Sequence, residues 1–206
     1  MSYKEWINKW DFEAGRLPLD FANSAEWHAA PEPTEKINSY GDLVGWSWAA
    51  GLLKDQEADQ LLDRASREPE EAARALEDAI EVREAIYQLF SAIAADRPLP
   101  SASLAYLNRA IANALGHVRL VTSGDGFEWG WDPEAAYPDR MLWPILRSTA
   151  ELLVSEELER VGECDDDRGC GYLFLDTTRN HSRRWCSMES CGNRAKARRF
   201  YERSKS

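Results

Sequence analysis

The residues that speak most directly of chemistry are four cysteines, and all of them lie in the last 43 residues of the chain. Cys164 and Cys170 form one short-spaced pair, Cys186 and Cys191 a second, and fifteen residues separate the pairs. Thiolates are soft donors and zinc takes four ligands tetrahedrally, so two such pairs joined by a hairpin-sized insert predict a closed structural zinc site. Two disulfides would use the same residues. Met1 to Asp11 carries acidic and aromatic residues and no apolar core segment of a secretory signal, so the expected compartment is the reducing cytoplasm, where disulfides are rare. His181 is a weaker candidate ligand, since four thiols already complete the set. The acidic loop Asp165-Asp-Asp-Arg-Gly makes the first pair looser than the usual two to four intervening residues.

The segment around these cysteines reads Cys170-Gly-Tyr-Leu-Phe-Leu-Asp, then Arg183-Arg-Trp-Cys-Ser-Met, then Cys191-Gly-Asn-Arg. It resembles the CGNR zinc-finger family, with the family's own motif intact at Cys191 to Arg194. Tyr172 to Asp176 alternates as a strand, Thr177 to His181 is turn-like, and Arg183 to Trp185 is expected to return as the second strand. Cys191 then opens a helix from about Ser190 to Arg203. A knuckle, a hairpin and a helix whose first turn supplies the last ligand is the layout of a treble-clef finger. Gly171 suits the tight backbone of the knuckle.

The same segment carries the chain's charge asymmetry. Residues 179 to 206 hold nine Lys or Arg against two Glu, a local charge of +7, whereas the rest of the chain stands at −18. A basic end on an acidic body predicts a negatively charged partner at that end, nucleic acid first and duplex DNA within that class. The expected contact residues are Arg183, Arg184, Arg194, Lys196, Arg198, Arg199 and Arg203, because guanidinium groups match phosphate oxygens bidentately. Arg194, Arg198, Tyr201 and Lys205 would share one side of the helix. Trp185 and Phe200 either stack on bases or, as is commoner, form the finger's small core. RNA remains an alternative that composition cannot separate from DNA. So does a helix that merely docks on the acidic body. Four thiolates close the metal and no Ser-His or Cys-His pair is visible, so no enzymatic activity is expected.

These residues need a body to carry them. The chain has 206 residues, 44% apolar and 30% charged, a soluble globular balance with no apolar run long enough to span a membrane. Ser39 is a helix N-cap with Asp42 in the first turn, and Gly51 stops that helix. Asp55 caps a second. Pro69 opens the longest, to about Ala95, with Leu76, Ile80, Ile86, Tyr87, Phe90 and Ile93 as its apolar stripe. Ser101 or Ser103 caps the next, with Leu104, Leu107, Ile111 and Leu115 facing inward. His117 to Thr122 and Gly126 to Trp131 flank a glycine-bearing turn and form a hairpin. A last body helix tolerates Pro144 in its first turn. The expected fold is mainly α with a small β-hairpin: a helical body over 1–160 and a small treble-clef-like finger over 161–206. The body resembles the ABATE domain, a family associated with stress-induced transcription regulation. Leu19-Asp-Phe-Ala-Asn23, Asp42-Leu-Val-Gly-Trp46, Ala50-Gly-Leu-Leu53, Val82-Arg-Glu-Ala85 and Leu142-Trp-Pro-Ile145 carry that resemblance. It implies a regulator whose body senses a small-molecule effector or forms a homodimer.

One charge in the body stands out. Arg83 falls on the apolar stripe of the longest helix, where it must be paired. Asp20 interrupts an apolar N-terminal stretch and is the expected partner, with Asn23 three residues on. The sequence therefore predicts either a buried polar cluster or the polar corner of a ligand pocket, with Trp46 and Trp129 as aromatic walls.

Overall fold

The computed structural model describes residues 6, 8–132 and 137–205, without the side chains of 202, 204 and 205, so Lys205's expected place on the basic face lies outside the described side chains. Its centre is built around an unusually short helix, α1 (Leu17–Ala22), every residue of which after Leu17 is buried. Six residues are too few to show a period, and burial on all sides explains why the segment reads as a continuous apolar stretch. Asn23 and Ser24 lead into a two-residue ribbon, β1 (Ala25–Glu26) paired antiparallel with β2 (Thr34–Glu35).

Helix α2 (Tyr40–Ala49) starts where its cap requires: the Ser39 hydroxyl accepts from the Asp42 N–H at 3.1 Å. It ends at Gly51, whose φ of 75° suits a left-handed terminator, while Leu52 N–H reaches back to Ser47 O at 2.9 Å. Helix α3 (Asp55–Arg67) comes next, with Lys54 rather than Asp55 at its N-cap. Pro69 opens α4 (Pro69–Ala94), the long helix on which α1, α2, α3 and α5 all pack.

Helix α5 (Ser101–Leu115) begins at Ser101 itself, behind Pro100, and no side chain caps it. Its buried line is Ser103, Leu107 and Ala114, whereas Leu104 and Leu115 are exposed, contrary to the sequence expectation. Helices α4 and α6 take only a narrow stripe of α5, and small residues fill that contact. The hairpin β3 (Val118–Ser123) and β4 (Gly126–Trp131) forms in register as expected, with Leu120 opposite Trp129. Helix α6 (Leu142–Leu153) then packs on α1 and α5, and a 3-10 turn (Glu156–Arg160) leads to the last segment.

The finger's hairpin differs from the expected one. Strand β6 (Leu173–Leu175) pairs not with Arg183–Trp185 but with an earlier strand, β5 (Val161–Glu163), in antiparallel register Val161 to Leu175. Val161, Leu173 and Leu175 join the body's apolar core. A π-helical turn (Met188–Gly192) runs into the terminal helix α7 (Asn193–Lys205). Among the described residues no helix is long and apolar enough to cross a membrane.

Candidate metal centre and nucleic-acid interface

Each cysteine is placed by a different local device. Cys164 comes directly after β5, and its N–H donates to Tyr172 O at 2.9 Å, closing the hairpin behind the first knuckle. Asp165 N–H donates to Arg184 O at 2.8 Å, which draws the segment before the second pair against the first. Cys170 sits between Gly169 and Gly171, both at positive φ (88° and 64°). A Cβ on Gly171 would stand 2.5 Å from both Ala29 N and Tyr87 Oη, so the knuckle presses on the body at a distance only glycine allows. Cys186 precedes the π-turn and Cys191 lies inside it.

The four Sγ atoms converge within 4.8 Å of one another, with Cys170 to Cys186 at 3.8 Å and Cys186 to Cys191 at 3.4 Å. A tetrahedron with metal–sulfur bonds of about 2.3 Å has sulfur–sulfur edges of about 3.8 Å. The cluster therefore fits one tetrahedral divalent ion held by Cys164, Cys170, Cys186 and Cys191, with no position left for water. Burial and the adjacent sulfurs push the Cys191 thiol up, since thiolates packed this closely repel. A divalent cation removes that barrier and leaves four thiolates as ligands.

A polar shell surrounds the sulfurs. Arg194 donates to Cys191 Sγ at 2.8 Å and to Asp166 at 3.3 Å. Asp166 is buried, and the Arg168 guanidinium beside it, together with hydrogen bonds, holds its carboxyl well below the usual range. Trp27, from the body, adopts a left-handed φ of 55°, and its ring carries both guanidinium groups, Arg168 at 5.0 Å and Arg194 at 5.6 Å. The arginine of the Cys191–Arg194 motif thus touches a cysteine sulfur, the acidic loop and the body at once.

Chain identity rests on matches to two family models. The ABATE model, described as a putative stress-induced transcription regulator, matches residues 15–156. The chain belongs to the ABATE family. The CGNR zinc-finger model matches residues 160–204, from the 3-10 turn before β5 into α7. No curated protein matches the sequence. The ABATE body and the CGNR finger meet over a broad seam. Asn23 pairs with the Leu173 backbone in both directions, at 2.8 and 2.9 Å. Leu175 N–H donates to Ala14 O at 2.7 Å and His28 N–H to Cys170 O at 3.1 Å. Glu163 accepts from Tyr87 at 2.9 Å and Ser91 at 2.6 Å on α4.

The expected basic residues divide into two groups. Arg183 is half-buried, donates to the Trp185 and Cys186 carbonyls and covers Phe174, so it braces the knuckle. Arg184, Arg194 and Arg198 pair with the successive acids Asp165, Asp166 and Asp167. Lys196, Arg199 and Arg203 on α7, and Arg179 in the loop before it, have no carboxylate partner among the described residues. Trp185 is half-buried, with Arg184 and Arg199 over its ring, whereas Phe200 and Tyr201 are exposed and so do not form a finger core.

The body's expected polar cluster does not assemble. Asp20 and Arg83 are not partners. Asp20 turns back along the chain and accepts from Ala14 N–H at 2.9 Å. Arg83 forks onto Glu35 of β2 with two bonds of 2.6 Å and also meets Glu84 at 2.9 Å. Trp46 is a core residue against Phe21, and Asn23 serves the seam. Trp129 is exposed on its hairpin beside Arg147, remote from the role of pocket wall. Sequence reasoning missed His28, which stacks on Tyr87 with ring centroids 3.6 Å apart and reaches Ala22 O and Glu84. Only its closeness in sequence to the motif residue Asn23 could have flagged it.

Proposed function

We propose that the protein is a zinc-stapled DNA-binding transcription regulator, with an ABATE body that senses a signal and a CGNR finger that contacts the phosphate backbone. The observation that carries this reading is the unpaired basic surface of the finger: Lys196, Arg199 and Arg203 on α7 with Arg179 nearby, none facing a carboxylate among the described residues. That surface belongs to a +7 segment in a chain of net charge −11. Arg184, Arg194 and Arg198 already have acidic partners in the Asp165–Asp167 loop, so they position the helix more than they bind phosphate.

If about four phosphates are neutralised, log affinity should fall against log salt with a slope of about −3.6 for duplex DNA. Fluorescence anisotropy with duplex DNA, duplex RNA and single strands across a salt series tests this. Changing Lys196, Arg199 and Arg203 together to Ala should abolish binding and leave the thiol–metal centre intact. Undiminished binding by that variant would remove the α7 reading. Preference for RNA would move the target from DNA to RNA, and no binding to any nucleic acid would leave α7 as a docking helix.

A further inference from the structure

Helix α7 carries two large side chains that neither the thiol cluster nor the body uses as core. Phe200 is 69% exposed and Tyr201 66%, and their rings meet edge to face with centroids 6.2 Å apart. Trp185 differs from both, being half-buried with Arg184 and Arg199 over its ring. The helix packs chiefly on the π-turn at its own N-terminus, and Lys196, Arg199, Phe200, Tyr201 and Arg203 are all exposed.

The neighbours of Phe200 decide what could cover it. Lys196 lies four residues before it and Arg203 three after it, so both share its face of the helix, and Arg199 flanks them. A helix that docks in a protein groove places apolar anchors at such positions. Here they are cations, and besides Phe200 and Tyr201 the helix has only Ala195 and Ala197 as apolar residues. A partner suited to this strip brings negative charge and a flat π surface together, which is the chemistry of a nucleic-acid strand. In a duplex the base faces are hidden against one another, and an apolar group in the major groove meets only base edges and the thymine methyl. Unpaired bases present the face itself.

We propose that α7 binds DNA at unpaired bases: Phe200 stacks on a base, Tyr201 props its ring from the side, and Lys196, Arg199 and Arg203 hold the flanking phosphates. This rests on the nucleic-acid reading above and names the state of the target, a locally opened duplex or a single strand.

The test uses the full-length, metal-loaded protein and two DNA duplexes of one length, one fully paired and one with about six central nucleotides mismatched. Both carry the same charge, so a difference between them isolates the bases from the phosphates. Fluorescence anisotropy should show the mismatched duplex bound about fivefold or more tighter. Phe200→Ala should remove that preference while leaving the affinity for the paired duplex and the salt slope as they were, because no phosphate contact is lost. Phe200→Trp should keep the preference, whereas Phe200→Leu, apolar but without a π face, should lose it. 5-Iodouracil in the mismatched stretch should photo-crosslink to Phe200. Equal binding of the two duplexes, or an undiminished preference in Phe200→Ala, would overturn this inference and leave the phosphate reading standing. No binding to either duplex at about 100 µM in low salt would remove both. If Phe200→Ala instead converts a dimer to a monomer in sedimentation with its DNA preference intact, the ring belongs to a contact with a second copy and the inference is wrong.

Discussion

Asp20 is a carboxyl in the buried centre of α1 with a backbone N–H donor from Ala14 and no salt bridge among the described residues. Burial outweighs that bond and raises its pKa from the ordinary carboxylate value to about 6. The folded protein therefore holds a proton at pH values where the unfolded chain has lost it. Stability contributed by Asp20 is fully present below about pH 4 and is lost as pH rises through about 6. Asp20→Asn keeps the acceptor for Ala14 and removes the ionisation. The variant should match wild type near pH 4 and exceed it by up to about 3 kcal/mol at pH 7. Paired urea titrations at the two pH values check this, and the difference isolates Asp20 from Glu35 and Glu84, whose lowered values act in the opposite direction. A constant difference across that range would mean that Asp20 is ionised throughout. The carboxyl's burial was legible from its apolar flanks; its lack of a cation was not, because Arg83 offered an obvious partner that the fold gives to Glu35.

At the level of elements, Arg83 fastens the β1–β2 ribbon to α4. The ribbon is two residues a side and could not hold itself together. Arg83→Met should release it and leave Glu35 without its partner. Breaking a buried pair costs about 3–5 kcal/mol, but the Glu35 side chain is 34% exposed and can regain water, so about 2–3 kcal/mol is expected by chemical denaturation. A loss below about 0.5 kcal/mol would show that the pair only decorates the surface. Elements marked by local chemistry were legible in the sequence: the Ser39 cap, the Gly51 stop, the Pro69 start and the alternation of β4 all stand where the residues put them. The β5–β6 pairing was not, since Val161-Gly-Glu163 has too few residues to show alternation and its partner lies nine residues beyond it. Arg183–Trp185 has the long and aromatic side chains of a strand, yet its carbonyls are taken by the Arg183 guanidinium and the Asp165 N–H. The cysteines were legible because metal ligation demands few residue types. The Trp27 link between Arg168 and Arg194 was not, because it depends on a left-handed backbone 141 residues before Arg168.

At the scale of the molecule, the body and finger share one core, and this changes what metal removal should do. A finger joined by a simple tether would melt alone and leave an intact body. Here β5 and β6 lead to and from the first knuckle, while Val161, Leu173 and Leu175 fill the body's interior. Asn23 and Ala14 hydrogen-bond β6, and Tyr87 meets both Glu163 and the backbone at Gly171. Structural zinc contributes about 10–16 kcal/mol in finger peptides, comparable with the whole stability of an ordinary domain. Loss of the ion should therefore unfold α7 and the knuckles and weaken the seam. A seam loss of about 3–4 kcal/mol corresponds to a fall in body melting temperature of about 10 °C for a chain of this size. Hydrogen exchange after chelation should show lost protection at β6 and α1, with protection retained in α3, which packs on α2 and α4. A body melting temperature unchanged by chelator, with protection at β6 intact, would mean that the hairpin belongs to the body alone and that the metal organises only the knuckle loops and α7.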